Sequence, residues 1–246
     1  MDYEAVIGLE THCQLKTRSK MFCGCANEFG ADPNTNVCPV CLGMPGVMPV
    51  ANERALQLTA LTGYLLHCEV PSFAKFDRKN YFYPDVCKDY QITQFDFPSA
   101  ATGHVDFEFE DDIQRVRITR AHLEEDVGKN NHYSEYSGVD FNRAGVPLLE
   151  IVSEPDIRSA DMAYEYLNAL KDILVYGGVS DCDMEKGMVR CDVNISVRLR
   201  GDSELGTKVE IKNMNTFSGV RRAINYEVPR QIEVLESGGF LEQETR

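Results

Sequence analysis

Between Arg190 and Arg198 polar and apolar residues alternate without a break: Arg190, Asp192, Asn194, Ser196 and Arg198 interleave with Cys191, Val193, Ile195 and Val197. Successive side chains of a strand point to opposite faces, so this stretch predicts a strand with one buried and one polar face. Lys208, Glu210 and Lys212 repeat the pattern over Val209 and Ile211. Ala5–Leu15 also alternates and puts Glu10 and His12 on one side, while Pro147–Val152 is an apolar strand with Glu150 set into it. A sheet with one charged face and one core face is the frame the rest of the chain must satisfy.

Helix signals come in blocks and do not alternate with the strands. Asn52 can cap a helix carrying Ala55, Leu56, Leu58, Leu61, Leu65 and Leu66. A second begins at Ser159; Met162, Ala163, Tyr166, Leu167, Leu170, Ile173 and Leu174 keep a 3.6 period until Gly177-Gly178 ends it. A third runs from about Ser218 toward Gly238-Gly239, with Pro229 expected to kink or break it. Residues 105–127 read as strands around an acidic turn, Glu108–Asp112, and further strands fall around 139–153. The expected class is α+β: a mainly antiparallel β-sheet with helices on one side.

Residues 21–50 are rich in Cys, Gly, Pro and Asn and have no apolar period, which marks a loop-dominated insertion. Within it Cys23-x-Cys25 and Cys38-x-x-Cys41 are separated by twelve residues, with Pro39 and Gly43 supplying a tight turn. Two short-spaced pairs fit tetrahedral Zn²⁺ held by four thiolates, a closed and therefore structural site. The other cysteines, Cys13, Cys68, Cys87, Cys182 and Cys191, are isolated and read as small buried residues.

A net charge of −14 argues against a nucleic-acid binder that relies on a broad basic surface, though not against contact through a local patch. The N-terminus has no basic region leading into an apolar core, and no apolar run approaches the ~20 residues of a membrane span, so a cytoplasmic location is expected.

A single half-polar strand is ordinarily an outer strand with a wet face. Several neighbouring strands of mixed acids and bases need compensation, because like charges across a sheet repel. His122, Glu124, Glu125 and Asp126 add a further cluster at the end of a strand. Divalent cations held by carboxylates, and a phosphate chain held by Arg and Lys, would supply that compensation, as phosphoryl transfer requires. No Walker A loop, G-x-G-x-x-G or G-x-S-x-G is present, so a nucleotide would lie on the sheet surface and not in a P-loop.

The stretches VIGLETHCQL, CPVCLGMPGVMPVAN, FDRKNYFYPD, YQITQ, HLEEDVGK, NRAGVPLLEIVSEPDIRS, GVSDCDMEKGMVRCDVNISVR, GTKVEIKNMNTFSGV and GGFLEQETR resemble the B-subunit family of aspartyl/glutamyl-tRNA amidotransferases. The related archaeal E subunit is the nearest alternative, and the likeness runs from about Tyr3 to Arg246. The resemblance implies a glutamine synthetase/guanido kinase-like catalytic domain spanning 1–246, with the zinc knuckle inserted at about 21–50. It implies ATP- and Mg²⁺-dependent phosphorylation of Glu on tRNA(Gln) or Asp on tRNA(Asn), followed by amidation. The ammonia would come from glutamine through an amidase A subunit, tied on by a small C subunit. A zinc-stabilised scaffold that only docks the amidase is the non-catalytic alternative, and a kinase of a free amino acid is a third.

On residues, the resemblance implies metal ligation by Glu10, His12, Glu125 and Glu150, with Asp192 and Glu210 at a second metal or in support. It implies phosphate or carboxylate contacts for Lys79, Arg190 and Lys212, and nucleotide contact for Arg190, Lys212 and Asn194. Tyr81 and Tyr83 are either flankers of the aminoacyl end or packed aromatics. The family continues past QETR into a helical domain and a tRNA-engaging tail, so a C-terminal truncation is expected. Pro229 departs from a helix that the family leaves uninterrupted.

Overall fold

A computed structural model describes residues 1–246. The strands are β1 (Tyr3–Gln14), β2 (Asp77–Asn80), β3 (Tyr90–Thr93), β4 (Ala100–Phe109), β5 (Asp112–Glu125), β6 (Lys129–His132), β7 (Ser137–Asp140), β8 (Pro147–Ser153), β9 (Val189–Leu199), β10 (Val209–Met214) and β11 (Glu244–Thr245). Three helices complete the chain: α1 (Glu53–Leu65), α2 (Ala160–Tyr176) and α3 (Phe217–Glu236). Seven strands form one sheet in the order β11-β10-β9-β1-β8-β5-β4. All its pairings are antiparallel except β10 with β11. The α+β class expected from the pattern is the class observed.

Register explains the two faces. Ile7 lies opposite Ile195, Leu9 opposite Val193, Thr11 between Cys191 and Ile151, and Cys13 opposite Leu149. These residues are buried, and the helices pack on their side, bringing Leu58, Tyr166, Leu167, Leu170, Val220 and Ile224 into one core. One residue out of phase, the facing set is Gly8, Glu10, His12 and Gln14 on β1 with Arg190, Asp192 and Asn194 on β9. A slip of one residue would exchange these faces, so burial fixes the register.

The caps match the sequence signals. Asn52 accepts the Arg54 and Ala55 N–H groups, Ser159 accepts that of Met162, and Gly177 closes α2. Glu110 and Asp111, both with positive φ (52° and 62°), make a two-residue turn of the kind that suits the twist of a hairpin.

One expectation changes. Pro229 does not end α3, which runs unbroken from Phe217 to Glu236. Side chains brace the turn around it: Glu227 accepts from Arg230 and Gln231 within the helix, and Gln231 Nε2 also donates to the Ile195 carbonyl of β9 (3.2 Å). The structure also adds two short hairpins, β2–β3 and β6–β7, too brief to show an apolar period in the sequence.

Candidate metal centres and the charged sheet face

Four strands line up one row of the open face: Arg190 on β9, His12 on β1, Glu150 on β8 and His122 on β5 are successive cross-strand partners. His12 Nε2 is 3.3 Å from Glu150 Oε2 and 3.9 Å from Glu124 Oε1. His122 Nε2 lies 3.5 Å from the same Glu150 oxygen, and Arg120 Nη2 is 3.8 Å from the other. Ligand atoms of His12, Glu124 and Glu150 all fall within 4.8 Å of one another.

Electrostatics sets these groups apart. Burial drives Glu124 up to about 7, with His12 and Lys79 opposing and Glu150 and Asp126 adding to the rise. Burial acts the same way on Glu150, but its hydrogen bond from His12 and the charges of His122 and Arg120 overcome it and hold Glu150 near 2. Burial lowers His122 to about 4, so it is neutral at physiological pH. For His12 burial is outweighed by Glu150 and Glu124, and its pKa is raised. Two buried carboxylates and an imidazole, one carboxylate poorly compensated, suit a divalent cation that keeps some of its water, Mg²⁺ or Mn²⁺.

The carboxylate expected at this position is Glu125, and the structure places it elsewhere. Side chains of β5 alternate, so His122 and Glu124 share the open face while Leu123 and Glu125 turn to the other. Glu125 instead pairs with Lys88 and accepts the Ile92 N–H (2.9 Å). Glu10, Asp192 and Glu210 lie on the same sheet face but outside the three-residue cluster. Glu10 accepts from Asn194 Nδ2 (2.8 Å). Asp192 accepts the Asn213 N–H (2.9 Å), and Lys212 Nζ stands 3.4 Å from both Asp192 and Glu210. Lys79 is exposed on the β2–β3 hairpin, makes no ion pair, and has its Nζ 5.9 Å from the Tyr81 ring centre. Tyr81 is half-buried and its phenol is pushed up to about 12 by burial, whereas Tyr83 is exposed.

Asp126, the residue that follows β5, reaches the open face and carries a role that the sequence pattern does not reveal. It is buried, accepts from Arg190 Nη2 (3.0 Å), Gln14 Nε2 (3.1 Å) and the Val127 N–H (2.9 Å), and has Arg143 Nε at 3.6 Å. Burial opposes its charge, but Arg190 and Arg143 prevail and lower its pKa. Asp126 thereby fixes the guanidinium beside His12. Asp126→Asn should destabilise the fold by about 2–4 kcal/mol at neutral pH, because two cations lose a buried partner. The contribution is present above the ordinary Asp range and fades as pH falls below it, so urea midpoints of parent and variant should converge in acid.

At the rim of the sheet the Sγ atoms of Cys23, Cys25, Cys38 and Cys41 all lie within 4.8 Å of one another. Cys38 and Cys41 sulfurs are 3.9 Å apart, close to the edge of about 3.8 Å that Zn–S bonds of ~2.3 Å give in a tetrahedron. Cys41 is buried; the hydrogen bond from Cys23 lowers its pKa to about 4 against burial, helped by the Cys38 N–H and by Lys20, whose Nζ is 3.6 Å away. The donors thus fit a structural zinc, in keeping with their spacing. Cys13, Cys68, Cys182 and Cys191 are buried free thiols; Cys87 is half-buried and donates to the Cys41 carbonyl (3.0 Å).

Fold and site together define a class: a one-sided antiparallel sheet with cation-type ligands and fixed arginines on its open face, and a four-thiol knuckle at its edge. No helix is long and apolar enough to cross a membrane. The chain belongs to the GatB/GatE catalytic domain family, whose model matches residues 5–246. It is 57% identical over 257 residues to the B subunit of the aspartyl/glutamyl-tRNA(Asn/Gln) amidotransferase of Methylacidiphilum infernorum, covering 100% of this chain and 53% of that protein. The corresponding B subunits of Persephonella marina and Carboxydothermus hydrogenoformans are 57% identical over 246 residues and 54% identical over 250, in each case with the whole chain covering 52% of the relative. The chain therefore spans about half the length of the curated relatives it matches.

Proposed function

We propose that this chain is the carboxylate-activating module of a tRNA-dependent amidotransferase. In this reading it transfers the γ-phosphoryl group of ATP to the side-chain carboxylate of Glu carried by tRNA(Gln), or of Asp carried by tRNA(Asn). Ammonia then displaces phosphate to leave the amide. Family membership and the names of the relatives support the substrate class. The observation that carries the chemistry is the row Arg190–His12–Glu150–His122, with Glu124 beside it: cation ligands and a fixed guanidinium on adjacent strands.

Two anions, a carboxylate and a triphosphate, must meet, so positioning and charge neutralisation dominate. Mg²⁺ held by His12, Glu124 and Glu150 would neutralise phosphate oxygens. Arg190, held by Asp126, offers donors to a phosphoryl oxygen without having to reorganise. Lys212, shared between Asp192 and Glu210, supplies a second cation on the opposite flank, with Asn194 between them and Glu10. Neutral His122 supports Glu150 and does not compete for its charge. The zinc knuckle is structural in this reading. The complete enzyme would work in the cytoplasm with an amidase A subunit, which releases ammonia from glutamine, and a small C subunit.

The test uses the complete enzyme with its partner subunits. Phosphate release from ATP should require both Mg²⁺ and the misacylated tRNA, and should fall about 10²–10³-fold in Arg190→Met. Turnover on free glutamate would move the reading to an amino-acid kinase. No ATP turnover, with the amidase still bound, would leave only a scaffold.

A further inference from the structure

The four-cysteine knuckle and the His12–Glu124–Glu150 cluster are joined by a short run of contacts. Gly43, just past the second cysteine pair, has φ +68° and lies so close to Lys88 that a Cβ there would meet Lys88 Cγ at 2.3 Å. The stem of Lys88 therefore lies against the knuckle turn. Its ammonium, buried, ends on Glu125. Cys87 ties the same segment down a second time through the Cys41 carbonyl.

From Glu125 the contacts continue into the cluster. Its carboxylate accepts the Ile92 N–H and its carbonyl accepts Gln91 Nε2 (2.7 Å), clamping β3 against the end of β5. One residue on, Thr93 Oγ1 donates to Glu124 Oε2 (3.2 Å), and Glu124 is the neighbour of Glu125 on β5. Thus a hydrogen bond to the Glu124 side chain depends on a strand held by Glu125, and Glu125 is held by a lysine leaning on the knuckle.

We propose that the knuckle positions Glu124 through Lys88 and Glu125, so that zinc at the four cysteines sets how tightly the His12–Glu124–Glu150 cluster binds a divalent cation. This rests on reading that cluster as a cation site and the knuckle as a zinc site. Groups that orient a metal ligand from outside change affinity by about 10–100-fold when removed. Lys88 and Glu125 are positioning residues in this scheme; neither touches the cation.

Mn²⁺ binding to the full chain, followed by electron paramagnetic resonance, tests it without any turnover. Zinc-loaded protein should bind Mn²⁺ at the cluster, and His12→Ala should abolish that binding. Removing zinc should weaken Mn²⁺ binding about ten-fold, and restoring zinc should recover it. If the zinc-free chain unfolds, the double variant Lys88→Met with Glu125→Gln decides, since it keeps all four cysteines and leaves no unpaired charge. With one zinc per chain and native far-UV circular dichroism, it should show the same loss of about ten-fold. Unchanged Mn²⁺ affinity in that variant would overturn the coupling while leaving the cation site standing. No Mn²⁺ binding to zinc-loaded parent protein would overturn the site reading as well.

Discussion

A Glu124→Gln variant should lose divalent-cation binding and yet, with metal chelated, melt at a higher temperature than the parent at pH 8. The second half follows from burial. Glu124 is buried on the open face, and its pKa stands at about 7 against an ordinary 4.5, because burial penalises the carboxylate more than His12 and Lys79 favour it. Between those two values the folded chain holds a proton that the unfolded chain has released, so stability falls as pH rises through this window. Above about 7 the full penalty applies, and linkage puts it at about 3 kcal/mol. A neutral glutamine of the same shape removes that penalty, so the variant should gain several degrees in Tm, given roughly 2–4 °C per kcal/mol for a chain of this size. Below about pH 4.5 both proteins carry a neutral side chain and should melt alike. Glu150 behaves oppositely: its pKa is lowered to about 2, so its contribution is present above about 4.5 and lost as pH falls toward 2. In the complete enzyme, Glu124→Gln should cost about 10²–10³-fold in turnover through the lost cation ligand. Melting curves at pH 4 and pH 8 and a Mn²⁺ titration check both halves. Equal or lower stability of the variant at pH 8 would mean that Glu124 is better compensated than its surroundings indicate.

That carboxylate also marks the boundary of what the sequence makes legible. Periodicity alone places Arg190, Asp192 and Asn194 on one face and their apolar partners on the other, and β9 realises both faces. The rule that separates Glu124 from Glu125 is the same period of two: counting from His122, Glu124 and Asp126 fall on the open side, and Leu123 and Glu125 do not. The signal is in HLEED, but two adjacent acids invite either choice until one knows that Leu123 is in the core. Asp126 is out of reach for another reason. Its role depends on Arg190, 64 residues away, and no local pattern encodes that pairing. The break that Pro229 allows does not occur: the penalty of a missing N–H is local, whereas a contact that holds the following turn, Gln231 to the Ile195 carbonyl, comes from β9. The knuckle is legible because short-spaced thiols already restrict their own geometry, while its tie to Lys88 through Gly43 requires the folded loop.

Replacing both Cys38 and Cys41 by serine should remove the zinc and release residues 21–50 while the seven-stranded sheet stays folded. Two observations separate these outcomes. The insertion has no helix or strand of its own beyond an isolated bridge between Ser19 and Ala26, and little of it enters the main core; hydrogen bonds between Asp32, Asn34 and Asn36 and the 139–142 segment tie it down, and in the proposed reading zinc on the four thiolates does the rest. Structural zinc supplies an apparent free energy of roughly 10–16 kcal/mol in peptides that depend on it, far more than the loop's few buried side chains can replace. The sheet, by contrast, has a continuous core from Ile7 to Ile224 that includes none of the four knuckle cysteines. The expected result is zero zinc per chain, rapid cleavage within 21–50 by a nonspecific protease, and far-UV circular dichroism near that of the parent. Lys20 adds a second consequence. Its ammonium is buried against Cys41 and the Phe141 carbonyl, so loss of the thiolate leaves a cation with only a neutral acceptor. Uncompensated buried charge costs more than an open loop does, so part of the destabilisation should reach the segment from Phe141 to Gly145 that leads into β8. Adding Lys20→Met to the double-serine variant should therefore recover some of the lost Tm without recovering zinc; no recovery would mean that Lys20 leaves the interior once the thiolate is gone.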